Sequence, residues 1–199
     1  MDKGRAGAVH LGVLLAASML AGCAAWRPSP APVVDSDTRP ILPAATLGGS
    51  QLTRQVVSAA FADQAATLQC VVDVTPEHMT LVALNAMGLR LFSVVVAGGK
   101  TLAERTPGVS DAIRPERILA DIQLAYWPLA ALQKAYAGTS WSVSEPVAGT
   151  RRLLHDGRLA EEVHYAQPAG DRWQGRLWLA NFAQGYSLSV DSQPMSRTP

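Results

Sequence analysis

From Gln51 onward the chain alternates apolar and polar side chains with a period of two, in short runs broken by turn residues. That rhythm is the mark of antiparallel strands with one buried face, and few folds other than a large sheet accommodate so much of it. Leu52, Val56 and Ala60 share one face of a first run. Leu68, Cys70, Val72 and Val74 share one face of a second, which Thr75-Pro76 ends. Met79, Leu81 and Ala83 mark a third. Ala86-Met87-Gly88 then reads as a hairpin tip, returning through Leu89 to Ala97 on a strand that carries Phe92, Val94 and Val96.

The period then changes. Ile118, Leu119, Ile122 and Ala125 recur at helical spacing after Arg114-Pro115-Glu116, with Pro115 placed for a first helical turn and Ser110 or Asp111 upstream as the cap. Pro128 restarts a second helix carrying Leu129, Leu132 and Tyr136, and Gly138 ends it. Strands resume near Trp141. Asp156-Gly157 is a two-residue hairpin signal, and pairing outward from it sets Arg152 opposite Glu161 and Arg151 opposite Glu162. Trp173, Leu177 and Leu179 face one way, and Tyr186, Leu188 and Val190 supply the last run. The expected fold is mainly β (α+β): about four strands, a two-helix insert, then four or five strands. It makes a strongly curved antiparallel sheet with the helices covering its concave face.

Upstream lies a different kind of text. Lys3 and Arg5 form a basic start, Val9 to Leu20 an apolar stretch, and Leu20-Ala21-Gly22-Cys23 a lipobox. The apolar stretch is shorter than the roughly 20 residues a membrane-crossing helix needs, which favours signal processing. Residues 1–22 are therefore expected to be removed, leaving Cys23 as the lipidated first residue. Ala24 rather than Asp after the cysteine resembles lipoproteins sent to the outer membrane. Pro28, Pro30, Pro32, Pro40 and Pro43 make 23–50 a tether, extended at about 3.1 Å per residue. The domain is expected over 51–192, with 193–199 as a frayed tail.

The near balance of 17 basic and 16 acidic residues, without a basic run, argues against a nucleic-acid surface. Of two cysteines the lipobox uses one, so Cys70 has no partner and reads as a small core residue. His155 and His164 flank a hairpin and sit about 20 Å apart at roughly 3.3 Å per residue, too far to share a metal. No nucleophile elbow, zinc motif or phosphate loop is present, so neither an enzyme nor a cofactor is expected. Tyr126-Trp127, at the junction between the helices, is either a core anchor or part of the wall of an apolar cavity.

Four segments carry a resemblance: Cys70 to Pro76, Met79 to Asn85, Gly88 to Ser93, and Asp121-Ile122-Gln123-Leu124-Ala125-Tyr126-Trp127-Pro128. They resemble an uncharacterised family of bacterial lipoproteins, often encoded with fatty-acid-synthase-like genes for aryl polyene lipids. That family is similar in length and strand-helix order to LolB, the outer-membrane lipoprotein receptor, and to its periplasmic partner LolA. The resemblance implies a LolA/LolB-like half-barrel with a helical lid, an apolar cavity for acyl chains or lipidated cargo, and attachment to the periplasmic face of the outer membrane. The implied partners are the membrane, an acyl ligand, and a LolA-like carrier or an exporter. Alternation selects Leu68, Val72, Leu81, Leu91, Val95, Trp127, Leu132, Trp173 and Leu177, with Tyr126, as cavity positions. Met87 is the counterpart of the loop by which LolB-like receptors touch a bilayer. A lipoprotein that scaffolds an exporter or synthase, without binding lipid, is the competing expectation.

Overall fold

The computed structural model describes residues 39–61, 64–110 and 114–197. The lipobox with Cys23, the prolines up to Pro32, and Asp111 lie outside the described residues. Ten strands make one antiparallel sheet: β1 (Gln51–Phe61), β2 (Gln64–Val74), β3 (His78–Leu84), β4 (Arg90–Ala97), β5 (Lys100–Arg105), β6 (Trp141–Val147), β7 (Thr150–His155), β8 (Arg158–Tyr165), β9 (Gly175–Asn181) and β10 (Tyr186–Pro194). Helices α1 (Pro115–Tyr126) and α2 (Leu129–Tyr136) join β5 to β6. The strand order is β5-β4-β3-β2-β1-β10-β9-β8-β7-β6, so the first and last strands pair in the middle and the sheet is not closed.

One helix reveals the curl of this sheet. α1 packs on β4 and β5 near one edge, yet its Tyr126 hydroxyl meets Ser192 of β10 at 2.8 Å and its Ala125 carbonyl accepts from Tyr165 of β8. In a flat sheet β5 and β8 would stand more than about 30 Å apart, whereas a helix is only about 10–12 Å across. The strands therefore wrap around α1. The concave face carries the core: Cys70, Val72 and Val74 of β2 and Met79, Leu81 and Ala83 of β3, buried as the alternation predicts, and Phe92, Val94 and Val96 of β4, a strand apolar on both faces.

Several expectations are corrected. β5 is an extra strand, making five before the helices. Its side chains are nearly all exposed, so it has no apolar alternation to read, and only the left-handed pair Gly98-Gly99 marks its hairpin. In β1 the inward face holds Thr53, Gln55, Val57, Ala59 and Phe61, while Val56 and Ala60 point to solvent. Gln55 belongs inside because its amide donates to Ser192 Oγ across the sheet. The β7–β8 hairpin does turn at Asp156-Gly157, both with positive φ, but a bulge between Leu153 and Leu154 shifts the pairing. Arg152 therefore faces Glu162 and ion-pairs with it, Arg151 faces Val163, and Arg151 and Glu161 turn into the core.

The domain also extends beyond the expected boundaries. Residues 39–48 pack on it as a strap. The Leu42 backbone N–H and carbonyl both bond the Gln123 side chain at 2.8 Å, a 3-10 turn spans Ala44–Leu47, and Leu42 and Ala44 are buried. At the other end β10 runs to Pro194, the Met195 N–H donates to the Leu52 carbonyl, and Arg197 bonds the carbonyls of Gln51 and Val74 and ion-pairs with Asp73.

α1 begins at Pro115 as expected, with Arg114 as the capping position and no side-chain cap. At its other end, the buried Arg151 guanidinium donates to the carbonyls of Leu124 and Trp127 at 2.6 and 2.8 Å. A cation on the last carbonyls suits the negative end of a helix. The same arginine is held by Glu145, 2.7 Å away.

Candidate functional site

Where the helix layer meets the central strands, it does not fill the space. Ala59 of β1 sits between Ala66 of β2 and Leu188 of β10 across the ladders, and the two alanines are too short to reach α1. Opposite them α1 presents Ile118, Ile122 and Ala125. The result is a cavity of about 320 Å³ between α1 and strands β9, β10, β1 and β2. Its wall is mostly apolar, as ligand pockets are.

Burial changes along its length. Gln55 and Cys70 close the floor, both buried, while Phe61 at the far end of β1 is 39% exposed. From Gln55 to Phe61 the cavity follows six strand rises, about 20 Å. The mouth lies where β1 ends at Phe61 and β2 starts at Gln64, with Arg114, which caps α1, Arg117 of its first turn and Gln184 beside it. At the floor the Tyr126 hydroxyl shares Ser192 Oγ with the Gln55 amide. Burial pushes the Tyr126 hydroxyl and the Cys70 thiol up, the thiol to about 12, so neither supplies an anion for chemistry near neutral pH.

Midway along the cavity, Asp121 and Tyr186 stand in the wall and belong to a polar cluster behind it. Tyr186 donates to Asp121, Arg39 of the strap bonds Asp121 at 2.8 Å and Glu161 at 3.1 Å, and Asn181 donates to Glu161 at 2.7 Å. Burial works against the charge on Arg39, but Glu161 and Asp121 outweigh it and hold the guanidinium firmly protonated. Burial raises the Glu161 carboxyl to about 8, and the negative Asp121 adds to that rise against the pull of Arg39. The cluster thus ties strap, lid and sheet together. Among the described residues no group of three His, Cys, Asp or Glu side chains is placed to hold a metal.

The residues selected from sequence scatter over this geometry. Leu68, Tyr126 and Leu177 line the cavity. Trp127 and Trp173 instead border a second, more polar hollow of about 500 Å³, together with Arg151 and Arg172. Trp127 is fully buried and donates to Thr46 Oγ1 at 2.8 Å, which makes it an anchor for the strap, while Trp173 stacks on Tyr126 with ring centres 4.3 Å apart. Val72, Leu81 and Leu132 are wholly buried in packed core. Val95 is corrected to the outer face, opposite Thr80, because Val94 and Val96 take the inward positions. Leu91 is likewise corrected to a part-buried place beside the β3–β4 irregularity at Ala83/Leu84. Arg114, Arg117, Asp121 and Tyr186 were not selected. The facing alanines Ala59 and Ala66 were the sequence signal for empty space, once the phase of β1 is known.

The hairpin tips at the mouth end are apolar. Met87 is 79% exposed in a turn whose Asn85 side chain accepts from the Met87 and Leu89 N–H groups, and Leu89 and Phe182 are exposed as well. No helix among the described residues is long and apolar enough to cross a membrane.

Two solved structures are similar over much of their length. A domain from Vibrio parahaemolyticus named for outer membrane lipoprotein sorting matches at 9% identity, covering 76% of this chain and 87% of that one, with a TM-score of 0.40. A DUF1329 family protein from Desulfovibrio piger ATCC 29098 matches at 10% identity, covering 78% and 92%, with a TM-score of 0.34. Among curated proteins none matches. One family model spans 52–194, from the start of β1 to the end of β10, and so takes in the whole sheet, both helices and the cavity between them. By that match the chain belongs to the family described as protein of unknown function (DUF3261).

Proposed function

We propose that the cavity holds an acyl chain and that the protein receives or passes on a lipid or lipidated cargo at a membrane. The observation that carries this reading is the apolar cavity, about 320 Å³, open at one end and closed by Gln55 and Tyr126 at the other. Such a carrier needs no catalytic group. An acyl chain entering the cavity leaves water, and on release into a bilayer each methylene keeps about 0.8 kcal/mol of transfer energy, so direction follows from relative affinity.

Cys23 is the lipid acceptor, the anchor lies on the periplasmic face of the outer membrane, and the role is LolB-like, with aryl polyene lipids as a cargo and a LolA-like carrier or an exporter as a partner. Met87 meets the bilayer. Its exposure at the mouth end supports this, since an apolar tip there would bring the opening to the lipid.

The test uses the full-length chain with Cys23→Ser, incubated with palmitate and examined by native mass spectrometry. Uptake of one palmitate, lost in Ala59→Trp, is the expected result, because an indole at Ala59 fills the space in front of Ile118 and Ile122. A ligand-free mass at saturating palmitate would overturn the carrier reading in favour of a scaffold. Delivery to vesicles unchanged by Met87→Asp would remove the tip from the mechanism.

A further inference from the structure

The polar groups of the cavity are not spread evenly, and their positions bear on the head of the ligand as the apolar wall bears on its chain. Among the described residues, the carboxylate and guanidinium side chains that line the cavity are those of Arg114, Arg117 and Asp121. Asp121 sits partway along, with its carboxylate engaged by Arg39 and by the Tyr186 hydroxyl behind the wall. Arg114 caps α1 and Arg117 stands on its first turn, both at the exposed end, where β1 finishes at Phe61. An amphiphile entering chain-first would leave its head between those guanidinium groups. Guanidinium forks bind carboxylate and phosphate oxygens bidentately, and beside a low-dielectric cavity such charge-assisted bonds gain strength.

We infer that the cavity is built for a single-chain amphiphile with an anionic oxygen head, a carboxylate or a phosphate, the chain lying along β1 and β10 and the head at Arg114 and Arg117. This rests on the reading of the cavity as an acyl-chain site. It adds a polarity, tail at Gln55 and head at the mouth, and it disfavours neutral and cationic lipids. One chain fits the volume, which lies at the low end of the roughly 300–1,000 Å³ of ligand pockets.

The test measures three ligands of one chain length, palmitate, hexadecyl phosphate and 1-hexadecanol, on the full-length Cys23→Ser chain at pH 8 and low salt, below their aggregation limits. At least one anion is expected to bind tenfold or more tightly than hexadecanol, and whichever anion is favoured names the head. The preference should shrink as salt screens it. In Arg114→Gln/Arg117→Gln the anion-to-alcohol ratio should fall toward one, and in Arg114→Lys/Arg117→Lys, which keeps the charge, most of it should return. Equal binding of all three ligands by the unaltered site would overturn the inference and leave the acyl-chain reading standing. A preference that survives the double glutamine variant would overturn the assignment to these arginines. Binding of none would overturn the inference and the reading together.

Discussion

Arg39 Nη2 stands 2.8 Å from Asp121 Oδ1, with both side chains closed off from solvent. One residue belongs to a proline-rich stretch that sequence composition marks as tether, the other to the helix that covers the sheet. Their contact makes the strap part of the lid. It also places one cation between two carboxylates, since Arg39 Nη1 reaches Glu161 at 3.1 Å.

Arg39→Met should therefore unfold the domain far more easily than the loss of a surface arginine would. Removing one partner of a buried pair costs about 3–5 kcal/mol, because the remaining charge is left in low dielectric. The urea midpoint of the variant should fall accordingly. Adding Asp121→Asn and Glu161→Gln to Arg39→Met should recover much of the loss, as neutral groups need no counter-ion. If the single variant shifts the midpoint no more than Arg54→Met does, the strap does not secure the lid.

Glu161 gives stability a dependence on pH opposite to that of an ordinary paired carboxylate. Its native value is raised to about 8 from the usual 4.5, so between those limits the folded protein keeps a proton that the unfolded chain has released. Its contribution is full below about pH 4.5, declines as pH rises through the window, and is gone above about 8. For one proton the slope approaches about 1.4 kcal/mol per pH unit. Glu161→Gln should lose this slope, and denaturation curves of both proteins at half-unit steps from pH 5 to 8.5 check it. Parallel stability profiles would show that Glu161 is ionised in the folded state throughout.

How much of this was legible in sequence varied with how one-sided each element is. β3 and the second half of β2 bury one face completely, so Val72 and Leu81 sit where alternation puts them, whereas β4 is apolar on both faces and the choice of Leu91 and Val95 as inward positions fell on the wrong one. β1 defeats that rule because its inward face carries Thr53 and Gln55, and its outward face carries Leu52 and Val56. β5 has no buried face to betray it. The charges at 151, 152, 161 and 162 read as two cross-strand pairs, Arg152 with Glu161 and Arg151 with Glu162, but the bulge pairs Arg152 with Glu162 and sends Arg151 and Glu161 inward. The cavity rests on small residues meeting across strands that are distant in sequence, Ala59 with Ala66 and Leu188, and such meetings depend on a register that composition does not carry.

Gly149 lies in the turn between β6 and β7 at φ +79°, and a Cβ there would come within 2.7 Å of the Pro168 ring. Gly157, in the next hairpin, has φ +74° and open space around it. Both alanine variants incur the cost of a left-handed side-chain-bearing residue, about 1–2 kcal/mol. Only Gly149→Ala adds a clash with a ring that cannot swing aside. Thermal denaturation should rank Gly149→Ala below Gly157→Ala, and equal melting temperatures would mean that Pro168 does not press on the turn.

Cys70 reports on the floor of the cavity. Its thiol is buried beside Gln55 and Tyr126, and burial holds its pKa at about 12, so a thiol reagent meets almost no thiolate while the fold is closed. In the Cys23→Ser chain Cys70 is the one cysteine, and its alkylation at pH 8 should proceed only through opening of the domain. A ligand that binds only the folded state lowers the open fraction by 1 + [L]/Kd, about a hundredfold at a hundred times Kd. Palmitate should therefore slow the labelling by the factor 1 + [L]/Kd, still rising after the site is nearly full, with Ala59→Trp unaffected by it. Rapid labelling of the ligand-free protein that palmitate merely halts would indicate instead that water and reagent already reach the floor, and that the chain acts as a plug. The two outcomes differ in the ligand-free rate, which needs only a time course of mass shifts to measure.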